Sequence, residues 1–134
     1  MIAEPAYVIL DTNVVLHFKR ANEIDWCALT GSREAVLIIT PVFLRELEEE
    51  KVHNKLARLR ERAAGTIRWL EQLLTADNNV KSIRKNVTLS ASPYEPTLNF
   101  LEHRLSERIA DDQLIANAIE IRNQGKRVFV PLRI

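Results

Sequence analysis

Asp11, Glu46, Asp111 and Asp112 lie in three separate stretches of the chain, each beside an apolar run. Asp11 closes "AYVIL". Glu46 follows "AVLIIT" and Pro41. The Asp111-Asp112 pair precedes "QLIANAIEI". Carboxylates gathered from such distances repel one another and raise each other's pKa values, so a compensating cation is expected among them. Hard oxygen donors suit Mg²⁺ or Mn²⁺ rather than zinc. Such an ion keeps several waters, leaves room for a phosphate, polarises a phosphodiester and supplies hydroxide near neutral pH. Each acid also has a structural use. Asp11 is a preferred helix N-cap. Glu46 sits in "RELEEEK", where glutamates form a solvated helix face with i,i+4 partners. Asp111 and Asp112 complement a helix dipole, and Asn13 is a turn former. The chemical reading therefore rests on the combination in its order along the chain.

Positioning these acids falls to an alternation of strands and helices. Tyr7–Leu10 reads as a buried strand, and Val14–Arg20 as the first turns of a helix capped by Asp11 or Thr12. Ile24, Cys27 and Ala28 suit a second short helix stopped at Gly31. Residues 35–40 form a continuous apolar run, the mark of a strand covered on both faces. From Pro41 to about Leu74 the spacing predicts one long helical stretch, with Gly65 as its weak point. Residues 75–97 read as loop, with one short strand at 87–89. Leu98, Leu101 and Leu105 suggest a short helix, and Ile109–Asn123 a clear one with Leu114, Ile115, Ala118 and Ile119 on one face and Gly125 as its stop. "RVFV", 127–130, is the last strand. The alternation predicts an α/β domain with a mainly parallel sheet. In such sheets function gathers beyond the carboxyl ends of the strands, where Asp11 falls.

Composition excludes several classes. The chain has 134 residues, a length for a single domain (1–134), and a net charge of +1, so any basic footprint for nucleic acid must be local. Lys51, Lys55, Arg58 and Arg62 form such a stretch beside the acids and are the candidate contacts for a phosphate backbone. A solvated amphipathic helix is their structural alternative, with some pairing to Glu48, Glu49 and Glu50. One cysteine, Cys27, permits no internal disulfide, and no apolar run approaches a membrane span. A cytoplasmic location is the expectation. His17, His53 and His103 have no metal-ligand spacing, and no phosphate-loop glycine pattern is present. Trp69 borders the apolar face and reads as core.

Three motifs together resemble the PIN domain, a family of metal-dependent ribonucleases. They are "VILDTNVVL", "ITPVFLREL" and "ADDQLIANAIEI". Their order and spacing match across nearly the whole chain. The resemblance implies a three-layer α/β/α sandwich. It implies Asp11, Glu46 and Asp112 as catalytic, metal-binding acids, with Asp111 as the alternative to Asp112 and with Thr12 and Asn13 in support. The implied reaction is hydrolysis of single-stranded RNA with Mg²⁺ or Mn²⁺. The implied partners are a second copy of the chain or, for a toxin-type member, an antitoxin protein. The resemblance weakens at the end, where Pro131, Leu132 and Arg133 stand in place of a Thr-Asn-Asp type turn. A domain shortened at its C-terminal end, with loss of the fourth polar or acidic group, is expected from this. The alternative function is accordingly a catalytically weak PIN-like module that binds RNA or a protein partner. A haloacid-dehalogenase-type phosphohydrolase also begins with Asp after a strand, but it needs a second Asp where Asn13 stands.

Overall fold

The computed structural model describes residues 1–17, 19–75, 79–92 and 95–130. In chain order the elements are β1 (Ala6–Ile9), α1 (Thr12–His17), a 3-10 turn (Ala21–Glu23), α2 (Trp26–Thr30), β2 (Ala35–Ile39), α3 (Pro41–His53), α4 (Ala57–Leu73), β3 (Val80–Arg84), β4 (Val87–Ala91), α5 (Ala110–Arg122) and β5 (Arg127–Phe129). The strands form one sheet in the order β3-β4-β2-β1-β5. Every neighbouring pair is parallel except the β3–β4 hairpin.

Helices cover both faces of this sheet, which explains the unbroken apolar runs of β1 and β2. Side chains alternate along a strand. Val8, Leu10, Leu37 and Ile39 point to one side and pack with Val14, Val15 and Leu16 of α1, Phe43 and Leu47 of α3, and Ala63, Ile67 and Leu70 of α4. Ile9 and Ile38 point to the other and pack with Val42 and Leu114. Trp26 is fully buried in the first layer, its indole N–H donating to the Ala21 carbonyl at 2.8 Å. In α5 the buried residues are Leu114, Ala116 and Asn117, while Ala118 packs at the edge of the second layer.

Four local expectations need correction. The helical stretch after Pro41 breaks at Asn54, not at Gly65. The Asn54 side chain accepts a hydrogen bond from the Leu56 amide at 2.9 Å, a local turn that competes with helix, and Leu56 then begins α4 with an extended backbone. Gly65 lies inside α4. Residues 80–84 form a strand where a loop was expected. It is an exposed edge strand, so it lacks the apolar signature of a buried one; Asn86, at φ +63, makes the tight turn into β4. Residues 98–105 form turns rather than a helix. Leu101 is 85% exposed, so the spaced leucines share no buried face, and Arg104 turns left-handed at φ +56. Finally, α1 begins at Thr12 and ends at His17, earlier than the expected Val14–Arg20 at both ends.

Candidate active site

Parallel pairing brings the carboxyl ends of β1 and β2 side by side, with Ile9 opposite Ile38. Asp11 lies two residues past the end of β1 and is 1% exposed. Its carboxylate accepts a hydrogen bond from the Asn13 side-chain amide at 3.2 Å. Burial raises the Asp11 pKa, the Asn13 bond opposes that, and the negative charge of Asp111 adds to the rise; the Thr12 and Asn13 backbone amides pull it back. Thr12 is buried and Asn13 exposed.

Glu46 reaches the same edge from α3. The Thr40 hydroxyl caps this helix, accepting from the Phe43 amide at 3.2 Å, and Pro41 starts its first turn. Phe43 and Leu47 are buried, which fixes the helix rotation and leaves Glu46 half-buried. One carboxylate oxygen, Oε1, is buried without a hydrogen-bond partner. Desolvation pushes the Glu46 pKa up to about 7, assisted by the charges of Asp11, Asp111 and Glu50. Glu50 stands one helical turn further along α3. Among the described residues, no basic side chain contributes an opposing pull on Asp11 or Glu46.

The two neighbouring acids of α5 have different surroundings. Asp111 is exposed, and its charge acts on both Asp11 and Glu46. Asp112 is half-buried and accepts a hydrogen bond from the Ser106 amide at 2.8 Å, holding the preceding loop against the start of α5. Among the described residues, no group of three or more His, Cys, Asp or Glu side chains is arranged to hold a metal ion as it stands. The donor chemistry nonetheless fits a hard divalent cation: all oxygen, one of them buried and unpartnered.

Residues absent from the sequence reading form the rim. Arg45, next to Glu46, pairs with Glu95 and also donates to the Gln113 side-chain oxygen at 2.6 Å. Gln113 in turn donates to the Glu107 carbonyl at 2.6 Å. The partners of Arg45 lie 50 and 68 residues away along the chain, so no local spacing could have announced them.

The expected RNA contacts divide into two groups. Lys51 pairs with Glu48 at 3.2 Å one turn back on α3, and Lys55 is exposed in the link to α4. Arg58 and Arg62 instead line a groove between α4 and the segment after α1. Among the histidines, His53 lies 3.8 Å from Glu49 and His103 contacts the Asn99 carbonyl. Pro131, Leu132 and Arg133 lie outside the described residues. No described helix is long and apolar enough to cross a membrane. A family model for the PIN domain matches residues 8–132. No curated protein and no solved structure matches the chain.

Proposed function

The chain belongs to the PIN domain family, whose members are generally nucleases and typically depend on divalent metal, and from that premise we propose that it hydrolyses phosphodiester bonds of single-stranded RNA with Mg²⁺ or Mn²⁺. The observation that carries this reading is Glu46 Oε1, buried without a partner on a side chain whose ionisation the charges of Asp11, Asp111 and Glu50 oppose. A buried acid that neighbouring acids make harder to ionise is costly to keep unless it has a chemical task. Asp11, Glu46 and Asp111 would hold the ion. When bound, it would supply charge stabilisation for the phosphodiester and a hydroxide near neutral pH. Asn13 holds the Asp11 carboxylate through its hydrogen bond, and Asp112 holds the loop that carries Ser106.

A second reading, a PIN module that binds RNA or a protein without cutting it, draws on the engagement of Asp112 by Ser106, which leaves one acid fewer for chemistry. A toxin-type role with an antitoxin partner draws on the family alone. The deciding experiment incubates purified protein with a labelled single-stranded RNA and Mn²⁺ or Mg²⁺, beside the Asp11→Asn variant. Cleavage by the parent, abolished by EDTA and by Asp11→Asn in a still-folded protein, is expected. Equal cleavage by the variant would overturn the assignment. RNA binding with no cleavage in either metal would favour the second reading.

A further inference from the structure

A groove of about 410 Å³ runs between α4 and the segment that follows α1. Five basic side chains line it: Lys19 and Arg20 on one wall, Arg58, Arg62 and Arg68 on the other. Among the described residues that line it, the acids are Glu23 and Glu61. Arg58, Arg62, Gly65 and Trp69 follow one another at four- and three-residue steps, so they share a single stripe of α4. From Arg58 to Trp69 that stripe is about 16 Å long, at the rise of an α-helix. The three α4 cations are spread along the helix, Arg58 and Arg62 about 6 Å apart and Arg62 and Arg68 about 9 Å apart along its axis. They do not converge on one point, as a site for a single phosphate would require.

Two further details shape the groove. Gly65 leaves its middle bare, and the Arg68 guanidinium reaches to 3.7 Å from where a Cβ would stand. Glycine inside a helix costs stability, so the open space is kept against local preference. Trp69 is only half-buried and lines the groove, although its ring also packs on the core. Arg62 donates to the Leu16 carbonyl at 2.6 Å, which fastens α4 to the last turn of α1.

We propose that this groove binds the backbone of single-stranded RNA, its cations meeting successive phosphates and Trp69 stacking on a base. Spaced cations beside an aromatic face are the physical means of holding a single strand without reading its sequence. The groove wall includes Val15 of α1, the helix that begins directly after Asp11. The inference deepens the proposed ribonuclease reading and rests on it for the choice of RNA.

The test measures fluorescence anisotropy of a labelled twelve-nucleotide RNA of mixed sequence in EDTA, so that no cleavage intervenes. Arg58→Glu/Arg68→Glu is compared with Lys81→Glu/Lys85→Glu, which makes the same charge change on the β3–β4 hairpin. Loss of roughly tenfold or more in affinity and a shallower salt dependence are expected for the groove variant alone. Intrinsic tryptophan emission should be quenched by RNA in the parent and much less in Trp69→Phe. Equal effects of the two charge reversals, or none from either, would overturn the groove. So would displacement of the RNA by poly-glutamate at equal charge concentration, which would mark a dock for an acidic protein. Separation from the ribonuclease reading is direct: RNA held in the groove but uncut in Mn²⁺ removes hydrolysis and keeps the groove. Cutting abolished by Asp11→Asn, with binding indifferent to the groove, does the reverse.

Discussion

Arg45 donates a 2.6 Å hydrogen bond to the side-chain oxygen of Gln113, tying α3 to α5 at the residues adjacent to Glu46 and Asp112. The same guanidinium pairs with Glu95, so three chain segments meet on one side chain. Arg45 and Glu95 are 52% and 54% exposed, so the pair contributes little to stability by itself. Arg45→Met should therefore cost under about 1 kcal/mol in a thermal melt. Its larger effect should be on Mn²⁺, because α5 is then freer to carry Asp111 away from Glu46. A Mn²⁺-induced rise in melting temperature at least halved relative to the parent is expected. If that rise is unchanged, the core alone positions the acids.

Neighbouring Asp111 and Asp112 should separate on mutation. Asp112→Ala removes a charged acceptor from the Ser106 amide and should cost about 1–2 kcal/mol of stability. Asp111→Asn should cost nothing measurable. It should instead weaken Mn²⁺ binding and let the Glu46 carboxyl titrate at lower pH, since one of the charges raising it is gone. Carbon-detected NMR of the Glu46 carboxyl across pH reads the second effect directly. A stable Asp112→Ala that no longer responds to Mn²⁺ would move the metal-binding role to Asp112, the acid that the family motif favours.

Much of this architecture was legible because its signals are local. The unbroken apolar runs of β1 and β2, the Thr40-Pro41 helix start and the Gly31 stop each act within a few residues. The acids Asp11 and Glu46 were legible for the same reason: each directly follows a recognisable strand or helix start. Elements decided by distant contacts were not. Strand β3 exists because β4 offers it an edge, while its own residues are mostly exposed. The break at Asn54 depends on one side chain choosing a turn over a helix. The choice between Asp111 and Asp112 turns on which way two adjacent side chains face, and helix spacing alone leaves that open. The Arg45 network joins residues that no sequence window contains together.

The raised pKa of Glu46 predicts how the metal-free domain responds to pH. Between 4.5 and about 7 the folded protein binds more protons at Glu46 than the unfolded chain does. Stability from this group is therefore fullest at low pH and declines as pH rises through that window, with no further change above it. Asp11 is shifted in the same direction and adds to the decline. Carboxylates elsewhere that gain partners on folding act oppositely, so the comparison needs Glu46→Gln as its reference. Denaturant titrations in EDTA should show Glu46→Gln gaining on the parent as pH goes from 5 to 8. A gain on the order of 1 kcal/mol is expected, allowing for the partial solvent access of this side chain. A constant difference across that range would mean that Glu46 titrates as an ordinary surface glutamate.

Metal binding should displace the same proton. A carboxylate must be ionised to coordinate a cation, so at pH 6, below the Glu46 pKa of about 7, most molecules would release a proton on taking up Mn²⁺. The apparent affinity should fall as pH is lowered below 7, approaching about tenfold per pH unit for a single linked proton. Isothermal titration calorimetry in two buffers of different protonation enthalpy counts the protons released. Close to one is expected at pH 6 and close to none at pH 8.5. Glu46→Gln should abolish the release at pH 6, which distinguishes this proton from any shed by Asp11. Mn²⁺ binding with the same affinity and no proton release at both pH values would place the ion elsewhere on the molecule and remove Glu46 from the site.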